Sequence, residues 1–193
     1  MDFLASLPTP LSPPSRRFLA IWHDWRRGAL LPQRRQLDTG SLGDLLPRCI
    51  LLEIRGHDDM PIRFAGTAIL DLLGAEIAGT NYLDLTRPDN RASRAQLLLT
   101  ETAQPCAAVI YYWLQQENGG LLPVEVVSAP MVADSENGAP LVLACATPLA
   151  VTDDASAVER SSYAEGDGLR FIDIGAGLPP VDASLRVATQ SVH

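Results

Sequence analysis

The sequence predicts an α+β domain: a five-stranded antiparallel sheet interrupted by a helical insert and preceded by an amphipathic helix. Three observations carry that expectation. Phe18, Ile21, Trp22 and Trp25 fall at i, i+3, i+4 and i+7, one continuous apolar stripe on a helix. Two short apolar runs, 49–54 and 62–65, flank the polar Gly56-His57-Asp58-Asp59 as the arms of a β-hairpin do. Three longer strand-like segments follow, 107–115, 121–133 and 140–150. Gly119-Gly120 and Asn137-Gly138 stand at their connections, the residue types that tight hairpins need for positive φ.

Residues 1–14, with Pro8, Pro10, Pro13 and Pro14, are expected to be proline-rich and disordered or extended. Ser15 is placed to cap the first helix and Gly28 to close it. Each tryptophan buries on the order of 150–250 Å², so this helix must dock on its own domain or on a partner. After a turn around Pro32, a short helix over 41–46 stops at Pro47. Beyond the hairpin, Ile69, Leu70, Leu72 and Leu73 line a short helix that ends at Gly74, and Gly79-Thr80-Asn81 turns the chain. Asp89 or Asn90 caps a longer helix running to 102, whose buried stripe is Ala95, Leu98, Leu99 and Thr102.

Segments 108–114 and 141–146 are apolar on both alternating faces, whereas a half-exposed antiparallel sheet shows polar residues on its outer face. One face falls to the inserted helices. The other falls to the N-terminal helix, to a second protomer, or to both. The organisation expected is a disordered stretch over 1–14, one domain over 15–150, and a partly flexible extension over 151–193. Leu169, Phe171 and Ile172 form a short strand or docking peptide within that extension.

The chain has 193 residues and 47% hydrophobic content, which suits one ordinary domain with extensions. It holds no apolar run of about 18 residues or more, and its N-terminus lacks a secretory pattern, so a cytoplasmic protein without a membrane span is expected. The net charge of −8 speaks against nucleic acid as the main partner, since phosphate binding leans on basic residues. All fifteen basic residues are arginine, a bias that with abundant alanine and leucine suits a bacterial genome of high GC content. Cys49, Cys106 and Cys145 form no CxxC pair and match no zinc spacing, which reads as reduced, buried thiols.

Several residues carry a family likeness: Trp22, Leu31-Pro32, Arg34 and Asp38, then Leu45-Leu46-Pro47 leading into Ile50-Leu51-Leu52-Glu53. Ile62-Arg63-Phe64-Ala65-Gly66-Thr67, Leu73-Gly74 and Ile77-Ala78-Gly79 continue it. Over residues 16–150 this pattern resembles a bacterial single-domain PAS family, the PAS_5 group. Thr39 departs from it, standing where the family often has proline. The resemblance implies a PAS-like sheet with a helical insert and a sensory or signalling role, usually cytoplasmic and often as a homodimer. It also sets limits on cofactors. Flavin-photosensing PAS domains carry a reactive cysteine in the insert, where Gly79-Thr80-Asn81-Tyr82-Leu83 offers tyrosine. Haem-binding ones supply histidine from the longer helix, and residues 86–104 contain none. Haem and cysteinyl-flavin are therefore disfavoured, which leaves no cofactor or an unknown small ligand. Arg63, Tyr82 and Tyr112 are the candidate ligand contacts, and Phe18, Ile21, Trp22 and Trp25 the candidate interaction surface.

Other motifs have simpler readings. Asp38-Thr39-Gly40-Ser41 spells an aspartic-protease signature, but that chemistry needs two carboxylates sharing a proton and no second copy exists. A helix cap is the alternative. Arg87, Arg91 and Arg94 could grip a phosphate or form a solvated face. Arg63 could pair with Glu53 or Glu125, or meet an acidic ligand. His57 sits in a polar turn, and Asp173-Ile174-Gly175-Ala176-Gly177 lacks the third glycine of a dinucleotide loop. The function expected is a non-enzymatic sensory module acting through protein contacts. The alternatives are a small-molecule-binding protein without a downstream partner and, remotely, an aspartic-type hydrolase; no metal is expected.

Overall fold

In the computed structural model, which describes residues 3, 7, 10–73, 76–86, 88–115, 121–149 and 168–180, helix α1 spans Pro13–Trp25. Its N-cap is Ser12, whose side chain accepts from the Ser15 amide, and Pro13 and Pro14 occupy the first turn. Proline is suited there, because those amides have no intrahelical acceptor. The helix thus starts ahead of Ser15, which is itself buried. Leu7 and Leu11 lie in the same apolar cluster as Trp22, so these two residues of the proline-rich segment pack on the domain.

Asp38 caps the short helix α2 (Thr39–Leu42), accepting from the Gly40 amide at 3.0 Å. The chain continues as a 3-10 helix over Gly43–Arg48 that includes Pro47, where the sequence suggested one helix over 41–46. Then come β1 (Cys49–Glu53), β2 (Ile62–Ala65), α3 (Thr67–Leu73), a 3-10 turn (Tyr82–Leu85) and α4 (Pro88–Ala103). Strands β3 (Cys106–Gln115), β4 (Leu121–Met131), β5 (Leu141–Pro148) and β6 (Leu169–Asp173) complete the elements. The sheet order is β2-β1-β5-β4-β3-β6, and every neighbouring pair is antiparallel.

The sheet has six strands where the sequence suggested five. The sixth is the apolar segment beyond the domain, which covers the edge that β3 would otherwise expose. Its two faces serve two layers: Ile172 joins the α1 side, while Leu169 and Phe171 pack with Leu97, Ala108 and Ile110. The β4–β5 connection also differs from expectation. Neither Asn137 nor Gly138 has positive φ, and residues 132–140 form a wider loop. Gly138 is needed for closeness instead, because a Cβ there would stand 2.3 Å from the Ala133 Cβ. The Gly119-Gly120 connection lies outside the described residues.

Both faces of the sheet are covered, as its two-sided apolar strands require. Leu51, Val127, Leu143 and Cys145 meet α1, and Leu52, Val124, Val142 and Ala146 meet the insert. On α4 the buried residues are Ala95, Leu97, Leu98 and Glu101, while Leu99 and Thr102 are half-buried. The helix is turned relative to its most apolar stripe because Leu97 reaches β3 and Glu101 finds a hydroxyl on β4.

Gly66 makes the close approach at the 62–67 junction possible: a Cβ there would lie 2.4 Å from the carbonyl oxygens of both Leu46 and Pro47. Backbone cannot yield as a flexible side chain does. Gly66→Ala is expected to destabilise the fold by about 1–3 kcal/mol, the usual range for overpacking, readable as a lower urea midpoint.

Candidate functional site

The site with the most built-in chemistry is the seat of α1 on the sheet. Phe18, Leu19 and Trp22 are wholly inaccessible to solvent and Trp25 nearly so. Of the two destinations left open for the tryptophan stripe, the helix takes its own sheet. The Trp22 indole Nε1 donates to the Pro130 carbonyl at 3.1 Å, and Trp25 Nε1 donates to Ser41 Oγ at 3.2 Å. Ile21 lies half-buried at the flank of the cluster. On the outer side, the Arg26 guanidinium sits 5.5 Å from the Trp22 ring centre, and Phe3 stacks on His23.

A polar anchor fixes the start of the helix. Tyr111, Glu125 and Thr147 are direct neighbours across β3, β4 and β5. The Tyr111 hydroxyl donates to the Pro10 carbonyl at 3.0 Å. The buried Glu125 carboxylate accepts from the Ser12 amide at 3.1 Å and from the Ser12 hydroxyl. A carboxylate at a helix N-terminus also gains from the helix dipole. Glu125→Gln sets an amide NH2 group against the Ser12 N–H and removes the charge. Hydrogen bonds to charged groups contribute about 1.5–3 kcal/mol, so a loss of that size in denaturant unfolding is expected.

The opposite face, beneath the insert, is filled with side chains that include Leu52, Met60, Ile62, Leu83 and Leu98. One polar pair stands in this layer. The Ser128 hydroxyl donates to Glu101 Oε1, and Oε2 has no hydrogen-bond partner among the described residues. Burial pushes the Glu101 carboxyl up to about 8, with the Ser128 bond opposing part of that rise. Glu101 is therefore mostly protonated at neutral pH.

The three candidate ligand contacts do not converge. Arg63 lines an open cleft of about 670 Å³ with Arg34, Glu53, Gly79, Asp134 and Ser135, and its Nε lies 2.7 Å from Glu53 Oε2. Tyr82 packs partly buried in the insert layer. The Tyr112 backbone pairs with Val124, and its side chain lies outside the described residues. Asn81, read from sequence only as a turn residue, joins insert to hairpin: its Oδ1 accepts from Met60 and Leu83, and its Nδ2 donates to the Asp58 carbonyl.

The Asp38 carboxylate is engaged as the cap of α2. His57 lies beside Asp58 in an exposed turn, and no cluster suited to a metal ion occurs among the described residues. Arg91 pairs with Asp84, and Arg87 lies outside the described residues. The insert lacks the cysteine that a cysteinyl–flavin bond uses there: α3 and α4 carry none, Cys49 and Cys145 stand on the α1 face, and Cys106 opens β3. Nor does α4 offer a histidine to haem iron. Among the described residues, no helix is long and apolar enough to cross a membrane.

Glu125, Glu101 and Ser12 were not singled out for these roles by sequence. The available signal was an acid isolated in an apolar stretch, as at Glu125 between Val124 and Val126.

Comparison with known proteins places this geometry. A comparison with curated proteins returns no match. Among solved structures, the chain is similar to a light-oxygen-voltage domain studied with a flavin analogue, at 15% identity and a TM-score of 0.45 over 65% of this chain and 94% of that one. It is similar to the PAS domain of Bordetella pertussis BvgS, at 16% identity and a TM-score of 0.43 over 60% of this chain and 85% of that one. A Rhodobacter sphaeroides LOV protein matches at 15% identity and a TM-score of 0.42, over 60% of this chain and 66% of that one. A family model described as a PAS domain matches residues 11–145. That match runs from the residue before the cap of α1 to the middle of β5, well over half of the sequence, and the chain belongs to the PAS domain family.

Proposed function

We propose that this chain is a PAS sensory and signalling module that works through protein–protein contacts, in the cytoplasm and as a homodimer, and performs no catalysis of its own. The observation that carries the proposal is α1, an appended helix that covers one sheet face and is tied down by polar anchors at Ser12–Glu125 and Trp22–Pro130. Undocking that helix uncovers apolar sheet for a signalling protein, so α1 is the element whose position carries the output. The acidic balance of the chain favours a protein over a nucleic-acid partner. Analytical ultracentrifugation with native mass spectrometry tests this. A dimer, with or without a small ligand, is expected; a strict monomer without ligand contradicts the proposal.

The cleft beside Arg63 favours a second reading, a small-molecule-binding protein without a downstream partner. There a small acidic ligand would compete with Glu53 for the guanidinium. A bound metabolite together with no captured protein would support that reading over the first. The hydrolase alternative predicts a hydrolytic activity abolished by Asp38→Asn, and the capping role of Asp38 argues against it.

A further inference from the structure

Cys49 and Cys145 lie far apart in sequence and directly opposite each other on the adjacent strands β1 and β5. Two backbone bonds define the type of that pairing. The Ile54 amide donates to the Pro140 carbonyl in the same register, five positions along the ladder. The Cys49 carbonyl instead accepts from Gly66, on the β2 side. Hydrogen-bonded and non-hydrogen-bonded pairs alternate along an antiparallel ladder, so Cys49 and Cys145 form a non-hydrogen-bonded pair. Such pairs hold their Cα atoms about 4.5 Å apart with side chains close. Disulfides span Cα separations of roughly 4.4–6.8 Å, and those at the margin of the range are more easily reduced. Both side chains stand on the α1 face of the sheet, and Cys49 Sγ donates to the Leu45 carbonyl of the covering 3-10 helix.

We propose that Cys49 and Cys145 form a reversible cross-strand dithiol–disulfide site, oxidised by a peroxide and concealed beneath α1 and the 43–48 helix. Each thiol is the largest influence on the other, as befits two sulfurs in contact. One thiol of the pair, as its thiolate, attacks one peroxide oxygen; the O–O bond breaks, and hydroxide leaves and takes up a proton to become water. The resulting sulfenic acid is attacked by the partner sulfur, the S–O bond breaks, and the partner thiol's proton leaves with the hydroxyl as a second water. Two thiols are oxidised to one disulfide and one peroxide is reduced to two waters. Cys106, pushed up to about 12 chiefly by burial, is the unreactive reference. Both reacting sulfurs are inaccessible while α1 is docked, so opening of the helix sets the rate. Bond formation itself does not depend on α1 carrying a signal.

The test treats the full chain with hydrogen peroxide, then counts thiols and maps peptides by mass spectrometry. The expected result is a fall from three free thiols to one, a mass lower by two hydrogens, and a linked Cys49–Cys145 peptide that dithiothreitol separates. Cys106→Ser is expected to form the same link, and Glu125→Gln to form it several-fold faster. Sulfinic acids without a link, links only between chains, or three thiols persisting in both the wild type and Glu125→Gln overturn the proposal.

Discussion

Replacing Trp22 by alanine is expected to lower the unfolding free energy by about 3–5 kcal/mol, the usual cost of removing a fully buried large aromatic. Three losses coincide at this position. The indole is fully buried, so its removal leaves a cavity between α1 and the sheet. Its Nε1–H leaves the Pro130 carbonyl without that donor. The Arg26 guanidinium loses the ring over which it sits. Ile21→Ala on the same helix is the control: Ile21 is only half-buried, so a clearly smaller loss is expected. Urea unfolding of both variants at neutral pH checks the difference. Equal small losses would mean that α1 is not seated as described.

The second large effect is a dependence on pH. Glu101 titrates near 4.5 in its ordinary state and at about 8 when folded. Below the lower value both states hold the proton, and the group gives stability no slope. Between the two values the unfolded chain releases the proton while the folded chain keeps it. Stability from this residue therefore falls as pH rises, by about 1.4 kcal/mol per unit, to a total on the order of 5 kcal/mol. Above the folded value the carboxylate is charged in both states and the slope ends. Glu101→Gln removes the titration and keeps an oxygen for the Ser128 hydroxyl to meet. The stability difference between this variant and the wild type should move in favour of the variant from pH 5 to pH 8.5. Parallel profiles for the two proteins would contradict the burial of an uncompensated carboxyl.

Local pattern made much of this architecture readable. The Phe18–Trp25 spacing picked out Phe18, Trp22 and Trp25 on the buried face of α1 but took the half-buried Ile21 and missed Leu19, and the doubly apolar strands required cover on both sides of the sheet. What stayed hidden depends on residues distant in the chain. Ser12 caps α1, but its carboxylate partner lies 113 positions away on β4. No periodicity announces such a pair. Glu101 carries no local sign of its burial, because its hydroxyl partner Ser128 lies 27 positions on, in β4. The thiol pair needed the register of β1 against β5, in which a slip of one residue would send one sulfur to the other face. Of the two carboxylates open to Arg63, it pairs with Glu53, on an open cleft.

Hydrogen exchange of α1, residue by residue, tests most directly whether this helix is a docked but releasable element. The account predicts that the amides of Arg16–Trp25 are protected in the wild type less than those of β4 and β5. It further predicts that Glu125→Gln speeds exchange in α1 by tenfold or more, the factor that about 1.4 kcal/mol represents, with α1 still exchanging ahead of the sheet. Exchange of α1 and the sheet together, at one rate in both proteins, would contradict it.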